Sequence, residues 1–226
     1  MLQQALTLMG VDADQISIVS DSIQDWVQSG DAPRLAGAKS DYYQTLDPPY
    51  YCKDAPMDDL SELLLVKGVT PDMYYGTSAA NHESKFTHKL GLGNAPGDVP
   101  EYPFGLRDIF TTLSSGQINI NTADTNVLQM IPGVDAETAA NIIQQRAGPD
   151  GVEGTEDDVP FRNVNQLSQA GVNPQLVGQI GRVCTTRSST FEVHVTARIG
   201  DSSREYIATL YRKSGTDIQV LTFYWK

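Results

Sequence analysis

Three short segments share a pattern that restricts much of this chain to helices joined by tight hairpins. Each has an apolar helix end, then Gly-Val, then a capping residue followed by Pro or Ala. The segments are residues 63–71 (LLLVKGVTP), 128–136 (LQMIPGVDA) and 167–174 (LSQAGVNP). Glycine allows the left-handed turn that ends the first helix, and Thr70, Asp135 or Asn173 can cap the second. The pattern predicts about three helix-turn-helix units between Asp58 and Cys184.

The two ends of the chain carry different patterns. Apolar residues recur at helical spacing in residues 15–28, which predicts an amphipathic helix. From Ser189 to Lys226, apolar and polar residues alternate, and turns at residues 200–203 and 214–217 divide this stretch into three strands. We therefore expect an α+β fold in which the N-terminal helix packs on a C-terminal antiparallel sheet.

The hairpin region lies between the two parts of this expected body. The predicted domains are a body, residues 1–57 and 185–226, and an inserted α-helical domain, residues 58–184. A long polar loop, roughly Ser78 to Pro103, separates the first two hairpins. Cys52 and Cys184 lie close to the ends of the insertion and would join them if paired. Two cysteines without CxxC spacing are compatible with a disulfide in an exported protein and equally with two buried thiols.

An acidic, glycine-rich loop, residues 147–160, follows the second hairpin. Its first twelve residues carry five carboxylates and no basic side chain. Oxygen donors of this kind suit Ca²⁺, which accepts six to eight oxygens in loose geometry. The candidate ligands are Asp150, Glu153, Thr155, Asp157 and Asp158, with main-chain oxygens near Val152. The spacing departs from that of an EF-hand, and the alternative is a solvated loop that binds nothing.

The charge of the chain limits the partners that it can have. The 226 residues have a net charge of −12, which would repel the phosphates of a nucleic acid. Residues 118–146 nevertheless resemble a helix-hairpin-helix. DNA-binding members of that class read Gly-hydrophobic-Gly at the hairpin, whereas Asp135 occupies the third place here. We expect a packing module and keep a helix-hairpin-helix nucleic-acid-binding protein as the alternative.

The sequence has no recognisable catalytic constellation. His82 and His88 lie in the long polar loop and His194 lies on the polar face of a predicted strand, and no GxSxG, HExxH or P-loop pattern occurs. Metal-assisted hydrolysis at the acidic loop is the remaining catalytic alternative, and we predict that the protein is not an enzyme. The tyrosines at 42, 43, 50 and 51 could form a binding surface, although packing of an irregular segment is the interpretation we prefer.

Several motifs in this order resemble one family. They are residues 37–43 (GAKSDYY), 48–50 (PPY), 61–71 (SELLLVKGVTP) and 118–123 (ININ followed by TA), and the Asp-Gly…Gly-Thr-Glu-Asp-Asp loop. Together they resemble the protein K family of minor pseudopilins of the type II secretion system. The resemblance covers essentially the whole chain. It implies a pilin-like body, with a helix against an antiparallel sheet and a large α-helical insertion.

The resemblance also implies chemistry at particular residues. Calcium would lie in the insertion, and we assign it to Asp150, Glu153, Thr155, Asp157 and Asp158. Because the family is exported, a Cys52–Cys184 disulfide is favoured. Family members have a prepilin leader and an apolar N-terminal segment. Neither is visible here, and the chain opens in what reads as mid-helix, so we expect that a membrane anchor precedes this sequence in the native protein.

The implied function is structural. The protein would cap the tip of the pseudopilus in the periplasm of a Gram-negative bacterium, anchored in the inner membrane, and would assist export of folded proteins across the outer membrane. Its implied partners are the minor pseudopilins I and J, other pseudopilins, the secretin and secreted cargo, with no nucleic acid among them.

Overall fold

The computed structural model describes residues 1–77, 101–114 and 116–226. They form two compact units, residues 1–112 and 113–226. Most of the predicted polar loop, together with His82 and His88, lies outside the described residues. The predicted nested division, with residues 58–184 inserted into a body, stays a prediction.

Unit 1, residues 1–112, is helical in its described part. Its α-helices are α1 (Leu2–Leu8), α2 (Ala13–Val27), α3 (Ser40–Tyr43), α4 (Pro71–Tyr75) and α5 (Leu106–Ile109), and it has one 3₁₀ helix, η1 (Leu60–Leu65). The amphipathic helix predicted for residues 15–28 is therefore confirmed as α2. Its buried Val19 packs in a cluster with Leu63 and Met73. The packing of an N-terminal helix on the sheet stays a prediction.

Aromatic side chains form a second cluster at the end of α2. The ring of Tyr43, which is fully buried, meets Trp26 edge-on at 5.3 Å and stacks on Tyr50 at 5.2 Å. Burial raises the pKa of Tyr43 to about 12. Tyr43 and Tyr50 thus serve packing, as preferred from the sequence, while Tyr51 is 74% exposed.

Unit 2, residues 113–226, combines short helices with two sheets. Its helices are α6 (Thr125–Leu128), α7 (Ala136–Arg146), the 3₁₀ helix η2 (Val164–Ala170) and α8 (Pro174–Ile180). Its strands are β1 (Ile118–Asn119), β2 (Cys184–Thr185), β3 (Thr190–Ile199), β4 (Ser202–Arg212) and β5 (Ile218–Trp225). Strands β1 and β2 pair in parallel, and the other three form an antiparallel sheet in the order β3-β4-β5. The predicted meander and the α+β class are confirmed.

All three predicted hairpins form, and their caps behave as expected. The hydroxyl of Thr70 accepts a hydrogen bond from Met73 N at 3.2 Å. The carboxylate of Asp135 accepts one from Thr138 N at 2.8 Å, and the side chain of Asn173 accepts one from its own helix. The hairpin glycines at 68, 133 and 171 all have positive φ. In the first and third hairpins the leading element is a 3₁₀ helix.

The three-stranded sheet has one apolar and one polar face. Alternation places Phe191, Val193 and Val195 on one side of β3, and Glu192 and His194 on the other. The ring of His194 lies between two carboxylates, 2.8 Å from Glu205 Oε1 and 2.7 Å from Glu192 Oε1. The hydrogen bond with Glu205 makes the largest contribution to raising the pKa of His194, and that with Glu192 raises it further. The ring braces β3 against β4.

The partly buried carboxylate of Glu62 predicts the acid sensitivity of unit 1. Glu62 accepts hydrogen bonds from Lys53 Nζ at 2.6 Å and from Trp26 Nε1 at 3.2 Å. Burial alone would raise the pKa of Glu62, but these bonds outweigh it and lower the pKa to about 2. Because the folded pKa lies below the unfolded one, this stabilisation is present above pH 4.5 and is lost as the pH falls towards 2. The expected loss is about 3 kcal/mol.

Urea unfolding of unit 1 measures this loss at a series of acid pH values, followed by Trp26 fluorescence in a Trp225→Phe background. The Glu62→Gln variant should start less stable at neutral pH and lose less on acidification. Glu156→Gln, at an exposed position in unit 2, serves as the control. Parallel pH profiles for the native chain and Glu62→Gln would contradict the assignment.

Candidate metal site

The acidic loop begins where α7 ends. Arg146, the last residue of α7, connects the start of the loop to its end. Arg146 Nη1 donates a hydrogen bond to Ile120 O at 2.8 Å, and Arg146 Nε donates one to the carboxylate of Glu153. The carbonyl of Arg146 accepts a hydrogen bond from Val159 N at 2.9 Å. The Arg146 side chain is 5% exposed. The two ends of the loop are therefore held together at the buried side chain and the backbone of Arg146.

Three of the predicted ligands are joined by hydrogen bonds inside the loop. Asp157 Oδ1 accepts from Thr155 Oγ1 at 2.6 Å, and Asp157 Oδ2 accepts from Asp150 N at 3.1 Å. The bonds from the Thr155 hydroxyl and then from the Asp150 amide lower the pKa of Asp157, so its carboxylate is held in the charged form. Thr155 Oγ1 also lies 3.1 Å from Val152 O. The predicted main-chain oxygen near Val152 is thus in the same cluster.

Asp158 supplies a buried oxygen without a donor. Its Oδ2 accepts from Gly154 N at 2.9 Å, whereas its Oδ1 is buried and has no hydrogen-bond partner. A buried carboxylate oxygen that lacks a donor is costly unless a cation compensates it. The donor set around it consists of oxygens alone, which fits Ca²⁺ better than zinc.

The five ligands predicted from the sequence fall into two groups in the structure. Asp150, Thr155, Asp157 and Asp158 make hydrogen bonds within the loop, while the carboxylate of Glu153 is held by Arg146. Within the described residues, no three side chains of His, Cys, Asp or Glu are grouped closely enough to hold a metal ion among themselves. A site here would therefore need the hydroxyl and main-chain oxygens as well.

Arg146 was missed by sequence reasoning. It is the only basic residue between Arg107 and Arg162, and it directly precedes the acidic run. That isolation within an acidic stretch is the signal that could have identified it.

Two glycines in the loop provide a matched test of its conformation. Gly148 and Gly151 have φ values of 71° and 69°, so alanine is strained at both. A Cβ on Gly148 would lie 2.2 Å from Asp157 O, whereas a Cβ on Gly151 would meet nothing within 4 Å. Gly148→Ala must therefore displace the backbone next to the candidate ligands.

We expect Gly148→Ala to destabilise unit 2 by about 2–3 kcal/mol and Gly151→Ala by about 1 kcal/mol. Thermal unfolding of the two variants in the presence of chelator measures the difference without any contribution from metal. Equal losses would show that the loop moves freely around position 148.

The two cysteines are free thiols in the structure, and the Cys52–Cys184 disulfide stays a prediction. Each side chain is enclosed in the core of its own unit. Cys52 packs in the cluster of Trp26 and Tyr43, and Cys184 packs in the cluster of unit 2 that contains Ile120. Burial raises the pKa of both thiols, that of Cys184 to about 11. Neither is therefore a ready nucleophile for exchange at neutral pH.

The second hairpin does not present an open phosphate-binding surface. A Cβ on Gly133 would lie 2.4 Å from Leu176 Cδ1, so α8 packs against the hairpin glycine. The hydrogen bond from Thr138 N lowers the pKa of Asp135, which keeps a negative charge at the hairpin. These contacts support the packing module over the nucleic-acid-binding alternative.

No helix within the described residues is both long and apolar enough to cross a membrane.

Comparisons with known proteins agree on one family. Residues 1–76 match the family model "Type II secretion system (T2SS), protein K", and residues 114–182 match the model "Helix-hairpin-helix motif". The chain is 30% identical over 66 residues to "Type II secretion system protein K" of Pectobacterium carotovorum subsp. carotovorum. It is 31% identical over 65 residues to "Putative type II secretion system protein K" of Escherichia coli (strain K12). Each match covers 29% of this chain and 20% of the relative.

The whole chain also shares its fold with a solved structure. It superposes on 68% of a chain in the crystal structure of the GspK-GspI-GspJ complex from the enterotoxigenic Escherichia coli Type 2 Secretion System. The TM-score is 0.61 and the sequence identity 17%, so this likeness concerns the fold alone. The family model over residues 1–76 and two relatives of the same description make this N-terminal part of the chain similar to type II secretion protein K, and the chain spans about a fifth of the length of those relatives.

Proposed function

We propose that this protein is a minor pseudopilin of a type II secretion system, with a structural rather than a catalytic role. The observation that carries the proposal is the protein K match over residues 1–76. In the helix-hairpin-helix region, α8 packs against the hairpin glycine Gly133, as expected of a module that serves packing. The family supports the prediction that the protein is not an enzyme.

The apolar face of the three-stranded sheet supports a pilin-like body. Val195, Phe223 and Trp225 are 52%, 59% and 63% exposed. Antiparallel sheets usually bury one face against another element. We propose that an apolar N-terminal segment preceding this sequence covers the face and anchors the protein in the inner membrane, with its described units in the periplasm.

We further propose that minor pseudopilins I and J bind this protein and that it caps the tip of the pseudopilus. A complex named GspK-GspI-GspJ contains a chain of the same fold, which supports this choice of partners. A bulky helical region on the upper surface would block addition of another subunit. Contacts with the secretin and with folded cargo belong to the same proposal.

Size-exclusion chromatography with light scattering tests the assembly. The protein is mixed with the periplasmic domains of pseudopilins I and J from the same system, and we expect an equimolar complex. Replacing these domains with that of the major pseudopilin is the control, which should elute separately. If the protein elutes alone from the I and J mixture as well, the tip-complex proposal is wrong.

We also propose that the acidic loop binds Ca²⁺ through Asp150, Thr155, Asp157 and Asp158, with Val152 O. The buried, unpartnered Oδ1 of Asp158 supports this assignment. Glu153 would act differently from the other predicted ligands, because its carboxylate compensates the charge of Arg146. The ion would hold the mutually repelling carboxylates together and fix the loop at the end of α7.

A further inference from the structure

A small polar cavity lies in unit 2 where the chain enters β3. Its volume is about 70 Å³, and it is lined by Arg187, Ser188, Ser189 and Thr190 together with Asn119 of β1, Thr185 of β2, and Ser114 and Gln117 before β1. Five lining residues carry hydroxyl groups, two carry carboxamides and one carries a guanidinium. None is acidic, although the chain has 28 Asp and Glu and only 16 Lys and Arg.

The backbone around the cavity is held in place on both sides. β1 pairs with β2 so that Asn119 lies opposite Thr185. The hydroxyl of Thr185 accepts a hydrogen bond from Arg187 N at 3.2 Å, which turns the chain. On the other side, Arg212 N donates to Ser189 O at 2.7 Å and Arg212 Nη2 donates to Ser188 O at 3.1 Å. The lining is therefore positioned by a strand pair and by the neighbouring strand.

Several hydrogen-bond donors of the cavity are not used by other protein groups in the described part of unit 2. Asn119 Nδ2 donates to Ser188 Oγ at 2.8 Å, which leaves the Ser188 hydroxyl proton for another acceptor. Within the described part of unit 2, the guanidinium of Arg187 has neither a hydrogen bond nor an ion pair, and the hydroxyls of Ser189 and Thr190 likewise have no partner. A guanidinium beside free hydroxyls is the donor arrangement that a charged oxygen acceptor satisfies best.

The charge distribution favours an anion at this end of the chain. Residues 182–226 carry seven Lys or Arg and four Asp or Glu, whereas residues 1–181 carry nine and 24. Arg187 lines the cavity and Arg212 binds its backbone, so an anion that most of the protein repels meets two guanidinium groups here.

We propose that this cavity binds an oxyanion, with Arg187 supplying the charge and the hydroxyls of Ser188, Ser189 and Thr190 supplying directional donors. The oxyanion is either the carboxylate of an acidic side chain on a partner protein or a free inorganic phosphate. The site is independent of the calcium loop and of the assembly proposed above.

Nuclear magnetic resonance titration of the full chain tests this site. Inorganic phosphate and acetate are added separately at constant ionic strength, and the backbone amides of residues 185–190 are followed. We expect saturable shifts at these amides. Saturation by phosphate alone supports a free tetrahedral anion, while saturation by acetate supports a carboxylate from a partner.

Two variants and a control separate the site from general charge effects. Arg187→Gln should weaken the binding about tenfold, because it removes the charge-assisted bond, and Ser188→Ala should weaken it to a smaller extent. Arg162→Gln makes the same charge change at an exposed position outside the cavity and should leave the affinity unchanged. The proposal is overturned if neither anion gives saturable shifts, or if Arg187→Gln binds as tightly as the native chain.

Discussion

Replacing Lys39 with methionine is expected to destabilise unit 1 by about 4 kcal/mol. Lys39 Nζ donates to Asp25 O and to Asp54 Oδ1, both at 2.6 Å, and also to Gln28 O. The Lys39 side chain is 7% exposed. Methionine fills a similar volume but leaves the carbonyls at the end of α2 and the Asp54 carboxylate without their donor. The Asp25 carbonyl is the buried acceptor among the three, and the loss of its charged donor carries most of the cost.

Urea denaturation in a Trp225→Phe background, in which Trp26 is the remaining tryptophan, measures this effect by fluorescence. Trp26 is a suitable probe because its carbonyl accepts the hydrogen bond from Asp54 N at 2.9 Å. Lys213→Met, in the turn before β5, removes an equal charge from an exposed site and should change stability by less than about 0.5 kcal/mol. A loss below about 1 kcal/mol for Lys39→Met would mean that water replaces the ammonium group.

Removing calcium from the acidic loop is expected to destabilise unit 2 by about 4 kcal/mol when the free ion was present at about a thousand times its Kd. The reason is mass action, because the proposed site is assembled only in the folded loop. For a domain of this size the loss corresponds to a fall in Tm of roughly 15 °C. Calorimetry in calcium and in excess chelator measures the difference.

Two carboxylate variants assign the effect to the loop. Asp158→Asn keeps the size of the side chain but removes the charge next to the buried Oδ1 position. It should lose most of the calcium-dependent stabilisation. Asp201→Asn makes the same charge change in the turn between β3 and β4, away from the loop. This variant should retain the calcium-dependent stabilisation. An unchanged Tm in chelator for the native chain would exclude a structural ion at this site.

The hairpins and the meander could be predicted because their causes are local. Gly133 and Asp135 lie within one turn of each other, and the left-handed glycine and the N-cap act on their own backbone. The alternation along residues 190–199 likewise needs only a sheet with two different faces. Four of the five predicted ligands make hydrogen bonds within the acidic loop, because they are separated by few residues and several glycines.

Contacts between segments that are distant in the sequence could not be predicted from such local patterns. The approach of Arg146 to Ile120, and with it the capture of Glu153, depends on the packing of α7 against β1. The Cys52–Cys184 disulfide stays a prediction, and the burial of each cysteine in the core of its own unit is a feature that no spacing in the sequence reports. The polar cavity at β3 joins residues from three strands and a turn, and no short motif marks it.

The sequence by itself determined the local elements of this protein: helix ends, hairpin turns, strand alternation and an acidic loop of oxygen donors. Its motifs also indicated the protein K resemblance that the family model supports over residues 1–76. Only the tertiary structure decided which charged groups are buried, which partners they meet and where donors remain free. The physical reason is that capping and alternation act between neighbours in sequence, whereas desolvation and charge pairing depend on which distant segments pack together.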